Sequence, residues 1–443
     1  MATGERRNAR RGCWTWRHLL WLLWLGIVVT MASTFGLIQR HWTYVPPVNL
    51  AAQAAYATKF PNVTRGIVMT MSDAMVPIGA SLVLELRSLG NSDPIQVMHC
   101  LASDLSARSI DILTATDANL QVVDICRVLL DADLLPSVDI ASEFQSYWLK
   151  PLALLLSSFD QVMLMDADNI FLRNPSLLWN STQYTDTGTL FFYDRVIPSN
   201  WGLNEQRGGV SYLSTFLAQF PYHSFNLTAP KCPSERLRGS AMFAQRTAHE
   251  QDSSLVLLDK RRAGRNVRNI LWYLTTHLRF KQSTPFSHGD KESFWLAFEL
   301  GQVRYAFSPW AASVVAAPGD MEAHPETLCG SLAQYIPTSN ASAVLLFVNG
   351  RGVIDVTDVL DSRGDKMPND ATTNWTARGA TLTERIPRYA VPRYTRDRNT
   401  SNLALFDQTC LVDAHATAIS PAFIDRATRR IHMAVQVASR MQW

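Results

Sequence analysis

The stretch KPLALLLSSFDQVMLMDADNIFLRN, residues 150–174, leaves the chain few folds to choose from. A mostly apolar run from Leu152 to Leu156 and on to Phe159 has the composition of a buried helix, and Val162-Met163-Leu164-Met165 is an apolar run of the kind that forms a buried strand. That strand runs into Asp166-Ala167-Asp168-Asn169. Side chains alternate along an extended backbone, so carboxylates two residues apart leave on one side and make an anionic fork. In an open α/β sheet the ligand crevice lies beyond the carboxyl ends of the strands, where such a fork can hold a divalent cation and, through it, a diphosphate. A bare D-x-D is also what a solvated turn after a strand looks like. The helix and buried strand before it, and the Asn174-Pro175 turn after it, favour the ligand-holding role.

Alternation of strand and helix continues on both sides. Periodicity predicts strands over 66–71, 95–98, 120–125 and 190–193, and helices over 79–89, 211–220, 267–278 and 291–300, a pattern that implies a parallel sheet. The span 65–350 is long enough to bury one large core. No G-x-G-x-x-G follows the first strand and no G-x-x-x-x-G-K-[ST] is present, which disfavours dinucleotide redox and P-loop chemistry. Beyond Gly350 the pattern weakens; 351–443 reads as a C-terminal extension without an assigned role, ending in an amphipathic candidate helix over 424–442.

The amino-terminal part sets the expected topology. Residues 1–18 carry Arg6, Arg7, Arg10, Arg11 and Arg17 against Glu5, and residues 19–38 form an uncharged apolar run. At helical rise that run can cross a bilayer core of about 30 Å, and it exceeds the usual apolar region of a cleaved signal peptide. Flanking arginines place the amino terminus in the cytoplasm. A short stem, 39–64, and a lumenal domain then follow. Removing the tail from 41 basic and 38 acidic residues leaves 36 against 37, so no basic field remains for nucleic acid. Asn-x-Ser/Thr at Asn62, Asn180, Asn226, Asn340, Asn374 and Asn399 suits a lumenal domain. Cys100, Cys126, Cys232, Cys329 and Cys410 would sit in an oxidising space, where an odd number leaves a thiol free or paired between chains. No Cys/His grouping has zinc spacing.

The frame around the fork resembles the fungal-type α-1,3-mannosyltransferases, glycosyltransferase family 71, with a Lys-led helix, "SSF", and "LDADN". Downstream, Asp252-Ser253-Ser254 through Asp259-Lys260 is similar to the family's "ESGQ-apolar-DK", and 289–297, GDKESFWLA, to its "GDKETFWLA". Leu328-Cys329-Gly330 and 346–350, LFVNG, are similar to its closing elements. The resemblance and the α/β pattern both imply a GT-A fold, one Rossmann-like nucleotide-sugar unit fused to an acceptor-binding half. The resemblance further implies a Golgi-type, single-pass type II enzyme that transfers mannose from GDP-mannose, with retention, to a mannose-bearing glycan on a glycoprotein or glycolipid. The alternatives are a retaining transferase using a UDP-sugar and a catalytically silent glycan-binding protein on the same fold.

Site residues follow from the same blocks. Oxygen ligation suits Mn²⁺ or Mg²⁺, and the resemblance favours Mn²⁺, with Asp168 as direct ligand and Asp166 as its companion. Asn169 is expected to orient them beside the nucleotide. Lys150 and Lys291 either meet phosphate oxygens as point charges or are solvated lysines at helix starts. Asp290 and Glu292 read locally as an N-cap with an acidic first turn. The resemblance makes them the active-site pair of a retaining enzyme, one attacking the sugar or stabilising its oxocarbenium character. Trp295, Phe294 and Phe298 read as a packed helical face; His288, His324 and His415 are candidates for an additional metal ligand, none with a decisive match.

Overall fold

Runs of Val, Ile, Leu and Met bounded by turn residues become the strands of a six-stranded sheet: β1 (Arg65–Thr70), β2 (Ile95–His99), β3 (Leu120–Asp124), β4 (Gln161–Met165), β6 (Thr189–Tyr193) and β7 (Gln251–Asp259), with the short β5 (Asn169–Phe171) placed elsewhere. Their order is β3-β2-β1-β4-β7-β6. The computed structural model describes residues 55–441 apart from 198, 283–284, 317–326, 339–343, 360–365, 391–408 and 413–416. The apolar run 19–38 and the first part of the expected stem lie outside the described residues, and among the described residues no helix is long and apolar enough to cross a membrane.

β3, β2, β1 and β4 are parallel, as the alternation implies. The far half of the sheet departs from it. β7 runs antiparallel to both β4 and β6 and leads from its carboxyl end into a helix, α3 (Lys260–Tyr273). Its reversed direction brings its amino-terminal residues, Gln251 to Ser254, to the carboxyl end of β4. That is the end at which a parallel sheet binds ligands, and the chain order reverses between β1 and β4.

After β4 the chain turns through Asp166–Asp168 and changes sheets. β5 joins a second, seven-stranded sheet by pairing with Leu345–Asn349, β10, in the register Asn169↔Asn349 and Phe171↔Phe347. β8 (Ser313–Ala316) and β9 (Thr327–Tyr335) continue that sheet, so the acidic fork sits at the corner between two sheets. Two helices end at this corner. α1 (Val76–Ser88) begins with Pro77 in its first turn and is followed by Gly90 at φ +78, a start and stop that suit those residues. α2 (Leu149–Leu156) is buried along its whole length and apolar on all sides apart from one ammonium, Lys150.

Both expected domain boundaries move outward. Residues 55–64, read as the end of a stem, are strapped to the sheet: Thr58 Oγ1 donates to Ser158 Oγ at 2.9 Å and Lys59 Nζ to the Ala118 carbonyl at 2.5 Å. α4 spans Ser293–Leu300, and the extension adds α5 (Trp375–Glu384) and α6 (Pro421–Ala438). α6 carries Phe423, Ala427, Ile431, Ala434 and Ala438 on one buried stripe at helical spacing and lays it on α1 and α5. Arg426 and Arg429 reach the wholly buried Glu85 of α1 at 2.6 and 3.5 Å. The extension is therefore part of the core rather than an appendage.

Cys100 at the end of β2 is bonded to Cys126 in the helix after β3, Cys232 is an exposed thiol, and the strand register sets Cys329 opposite Cys410. Closing a loop of 26 residues restricts the unfolded chain, which gives about 3 kcal/mol of stability. Replacing both Cys100 and Cys126 with Ala is expected to lower the unfolding free energy by about that amount in denaturant titrations. Added reductant should then have little further effect at this site.

Candidate active site

The fork is built from backbone outward. The Asp166 N–H donates to the Ser254 carbonyl at 2.9 Å, which ties the end of β4 to β7, and the Gly350 N–H donates to the Asp168 carbonyl at 3.2 Å. Asn349 Nδ2 donates to Asp168 Oδ1 at 2.8 Å and to Asn169 Oδ1 at 3.1 Å. Asp168 is half-buried, and among the described residues no other residue donates a hydrogen bond to its second oxygen. Burial first, and the Asp166 carboxylate next, push the Asp168 carboxyl up to about 7, against the opposing pull of Lys150 and Arg351. Unlike Asp166, Asp168 has no ion pair of its own among the described residues.

Asp166 is neutralised differently. Lys150 Nζ donates to both of its oxygens, at 3.0 and 3.2 Å, and to the Ser253 carbonyl and hydroxyl at 3.2 and 3.1 Å. The same ammonium lies 3.2 Å from Asp290 Oδ2. Lys150 is only 3% exposed. Burial alone would discharge it, but the two carboxylates outweigh burial and hold its pKa above the usual lysine range. Asp290, also buried, is raised to about 6 by burial, with Lys150 pulling against it and Asp166 adding to it. Lys150 is thus a buried link between the fork and the Gly289-Asp290-Lys291 block, not a solvated helix-start lysine.

This donor set fits a cation that arrives with its ligand. Among the described residues no three His, Cys, Asp or Glu side chains are grouped so as to cage a metal ion. Mg²⁺-like ions commonly take one or two carboxylates and fill the remaining positions with phosphate and water. Asp168 with its open oxygen, flanked by Asp166, supplies that pair.

Beside Asp290 lies a cleft of about 420 Å³ walled by Trp148, Trp201, Phe286 and His288. Gly289 sits at its edge with φ +65, and a Cβ there would come within 2.8 Å of Tyr147 Cβ, so only glycine lets the block approach the start of α2 this closely.

Residues 64–335 match the model of the family described as "Mannosyltransferase putative". The chain belongs to this family. It is 28% identical over 260 residues to the "Putative alpha-1,3-mannosyltransferase MNN14" of Candida albicans, covering 57% of this chain and 36% of that protein. It is 26% identical over 303 residues to the "Alpha-1,3-mannosyltransferase MNT2" of Saccharomyces cerevisiae, covering 65% and 51%. The chain spans about a third to a half of the length of the curated relatives it matches first. Among solved structures, the galactosyltransferase LgtC with donor and acceptor sugar analogues is 12% identical at a TM-score of 0.32, covering 55% of this chain and 74% of that one. The domain has an α/β layout, with its acidic fork beyond a central strand.

Not every expected residue reaches the fork. Asn169 is fully buried and its amide is used at both ends, donating to the Ser254 carbonyl at 2.7 Å and accepting from Asn349. It shapes the fork from beneath instead of facing a nucleotide. Lys291 pairs with the buried Asp194, whose carboxyl burial would raise but Lys291 and Arg195 hold well below the usual range. Asp290 does not cap α4: its carbonyl, not its carboxylate, accepts from Ser293, and the residue ahead of the helix is Glu292. Glu292 is fully buried, accepting from the Glu250 N–H at 3.1 Å and from Trp295 Nε1 at 2.5 Å, with His249 Nδ1 3.5 Å away. Trp295, Phe294 and Phe298 are core residues. His288 stands on the cleft wall beside His249 and Trp201, and His324 and His415 lie outside the described residues.

Three contributors escaped the sequence. Asn349 belongs to a quoted block but points to no chemistry alone. Asp194 directly follows the strand 189–193, and an acid at a strand end was the available signal. Ser253 is visible only once β7 is known to run antiparallel. If Lys150 is the buried link, Lys150→Met leaves two carboxylates without their counter-charge and should lower the unfolding free energy by about 3–5 kcal/mol. Adding Asp290→Asn should recover part of that loss in the same denaturant assay. A loss below about 1 kcal/mol would mark the pair as solvent-screened.

Proposed function

We infer that the domain is a metal-dependent, retaining α-1,3-mannosyltransferase that moves mannose from GDP-mannose to a mannose-bearing glycan. The observation that carries this is the asymmetry of the fork: Asp166 is satisfied by Lys150, while Asp168 has an open oxygen and, among the described residues, no ion pair of its own, so that its charged form lacks the counter-charge a cation would bring. A cation held by Asp168 and Asp166, Mn²⁺ or alternatively Mg²⁺, would act as a Lewis acid on the departing diphosphate. The names of the relatives support mannose and the α-1,3 linkage.

The chain's own groups then divide the work. Asp290 presents a buried carboxylate one lysine away from the fork, on the side where the sugar would stand, and Lys150 keeps it charged. In a retaining transfer such a carboxylate either attacks the anomeric carbon or stabilises its oxocarbenium character while the acceptor enters from the leaving-group face. Glu292, held by His249 and Trp295, backs this wall. Lys291 neutralises Asp194 below the site. The aromatic cleft beside Gly289 suits an acceptor sugar, whose apolar face stacks on rings. A UDP-sugar donor is the alternative for the same geometry.

Titrating nucleotide sugars and Mn²⁺ against the full chain tests this. GDP-mannose should be consumed in preference to UDP-sugars, and proton NMR of the first product should show an α anomeric signal; a β product would sink the retaining assignment. Asp168→Ala should abolish metal-dependent nucleotide binding. Asp290→Asn should leave that binding in place and cut turnover by about 10²–10⁴-fold, the range for loss of a positioned carboxyl group.

A type II Golgi membrane protein is the setting that fits. The arginines flank the apolar run 19–38, and Asn62, Asn180, Asn226 and Asn374 are all exposed. Protease added outside sealed microsomes should spare the domain, and a glycosidase should increase its mobility on gels. Digestion in intact vesicles would overturn the lumenal assignment.

A further inference from the structure

Arg430 stands on the buried stripe of α6, between Ala427 and Ile431, in the part of the chain beyond the family match. Packing alone asks only for an apolar side chain there. A fully buried guanidinium is costly unless every donor finds an acceptor. None of its partners among the described residues is a carboxylate. Nε donates to Ser81 Oγ at 2.8 Å and Nη2 to the Ile78 carbonyl at 3.1 Å, which anchors it to α1. Nη1 donates to the Asn169 carbonyl at 2.5 Å and Nη2 also to the Ala167 carbonyl at 2.9 Å. Those two carbonyls flank Asp168. With the Gly350 N–H on the Asp168 carbonyl, the turn is held on three successive peptide groups.

We propose that Arg430 is a positioning residue for the acidic fork: by gripping the Ala167 and Asn169 carbonyls from behind, it sets the direction in which Asp168 presents its open oxygen to a divalent cation and its diphosphate. This rests on the transferase function inferred above. The guanidinium also places a positive charge behind the fork. Burial pulls its pKa down to about 10, against Glu85 and Asp168, so it remains a cation at neutral pH. Lysine cannot replace it, because a single ammonium on a flexible stem does not span acceptors arranged around a planar fork.

The test titrates Mn²⁺ into the full chain with GDP present, following free Mn²⁺ by electron paramagnetic resonance and thermal unfolding on the same samples. Arg430→Lys is expected to weaken Mn²⁺ uptake by about 10–100-fold, the usual effect of losing a group that orients a metal ligand. Ser81→Ala, which removes one anchor of the guanidinium, should shift uptake in the same direction by less. Arg426→Gln loosens the same helix at Glu85 without touching the fork and should leave uptake at the wild-type value. A folded Arg430→Lys chain with wild-type uptake overturns the proposal, as does an equal loss in Arg426→Gln. Should Arg430→Lys fail to fold, Ser81→Ala decides: a weakened uptake supports the proposal and an unchanged one overturns it. A wild-type chain that takes up Mn²⁺ with neither GDP nor UDP overturns the metal-dependent transferase reading and this proposal together, whereas wild-type uptake with unchanged variants overturns this proposal alone.

Discussion

One ammonium holds the site together. Lys150 is buried at the start of α2, and its charge is shared between Asp166 on one segment and Asp290 on another. The same helix is secured at its far end by a second buried lysine: Lys260 Nζ donates to the Ser157 carbonyl at 2.6 Å and to the Leu155 carbonyl at 3.4 Å. Burial pulls the Lys260 amine down to about 7, and its N–H groups still satisfy carbonyls that the helix leaves unpaired. The short apolar helix is therefore tied at both ends, and the position of Lys150 is set by packing and by hydrogen bonds beyond the fork itself.

Around that link, carboxylates are treated unequally. Asp166 is matched by Lys150, and Asp194 is matched by Lys291 and Arg195. Asp252 is buried and satisfied by Ser254 and by Gln334 at 2.8 Å. Asp168 alone among these keeps an open oxygen at the corner between sheets. Acidic groups that are all paired make a structural network; one left short of positive charge makes a binding site.

Much of the sheet was legible because buried strands and their turns are local features. The strand into Asp166-Ala167-Asp168, the helix over 293–300 and the parallel order of β1 to β4 follow from periodicity and length. What could not be read depends on non-local pairing. The reversed direction of β7 leaves no mark on its own residues, which are buried on both faces in either orientation. Lys150 looks like any helix-start lysine until its partners, 16 and 140 residues away, are brought beside it. The amphipathic pattern over 424–442 marks α6, but the extension's role could not be read, because its polar stretches dominate the sequence and the stripe that packs α6 on α1 is made largely of alanines, which do not show what they pack against.

The position of β4 also has a kinetic consequence. It pairs on one side with β1, where Gln161 faces Arg65, and on the other with β7, where Gln161 faces Asp259, so its partners lie 96 and 98 residues away. Contacts that close such long loops form late and slow the overall folding rate. The acidic corner has no local precursor: it comes into being only when the middle of the sheet does. A partly folded chain would thus have no affinity for cation or nucleotide, and such ligands cannot template early folding. Their effect would fall on the other limb, slowing the opening of a sheet already made.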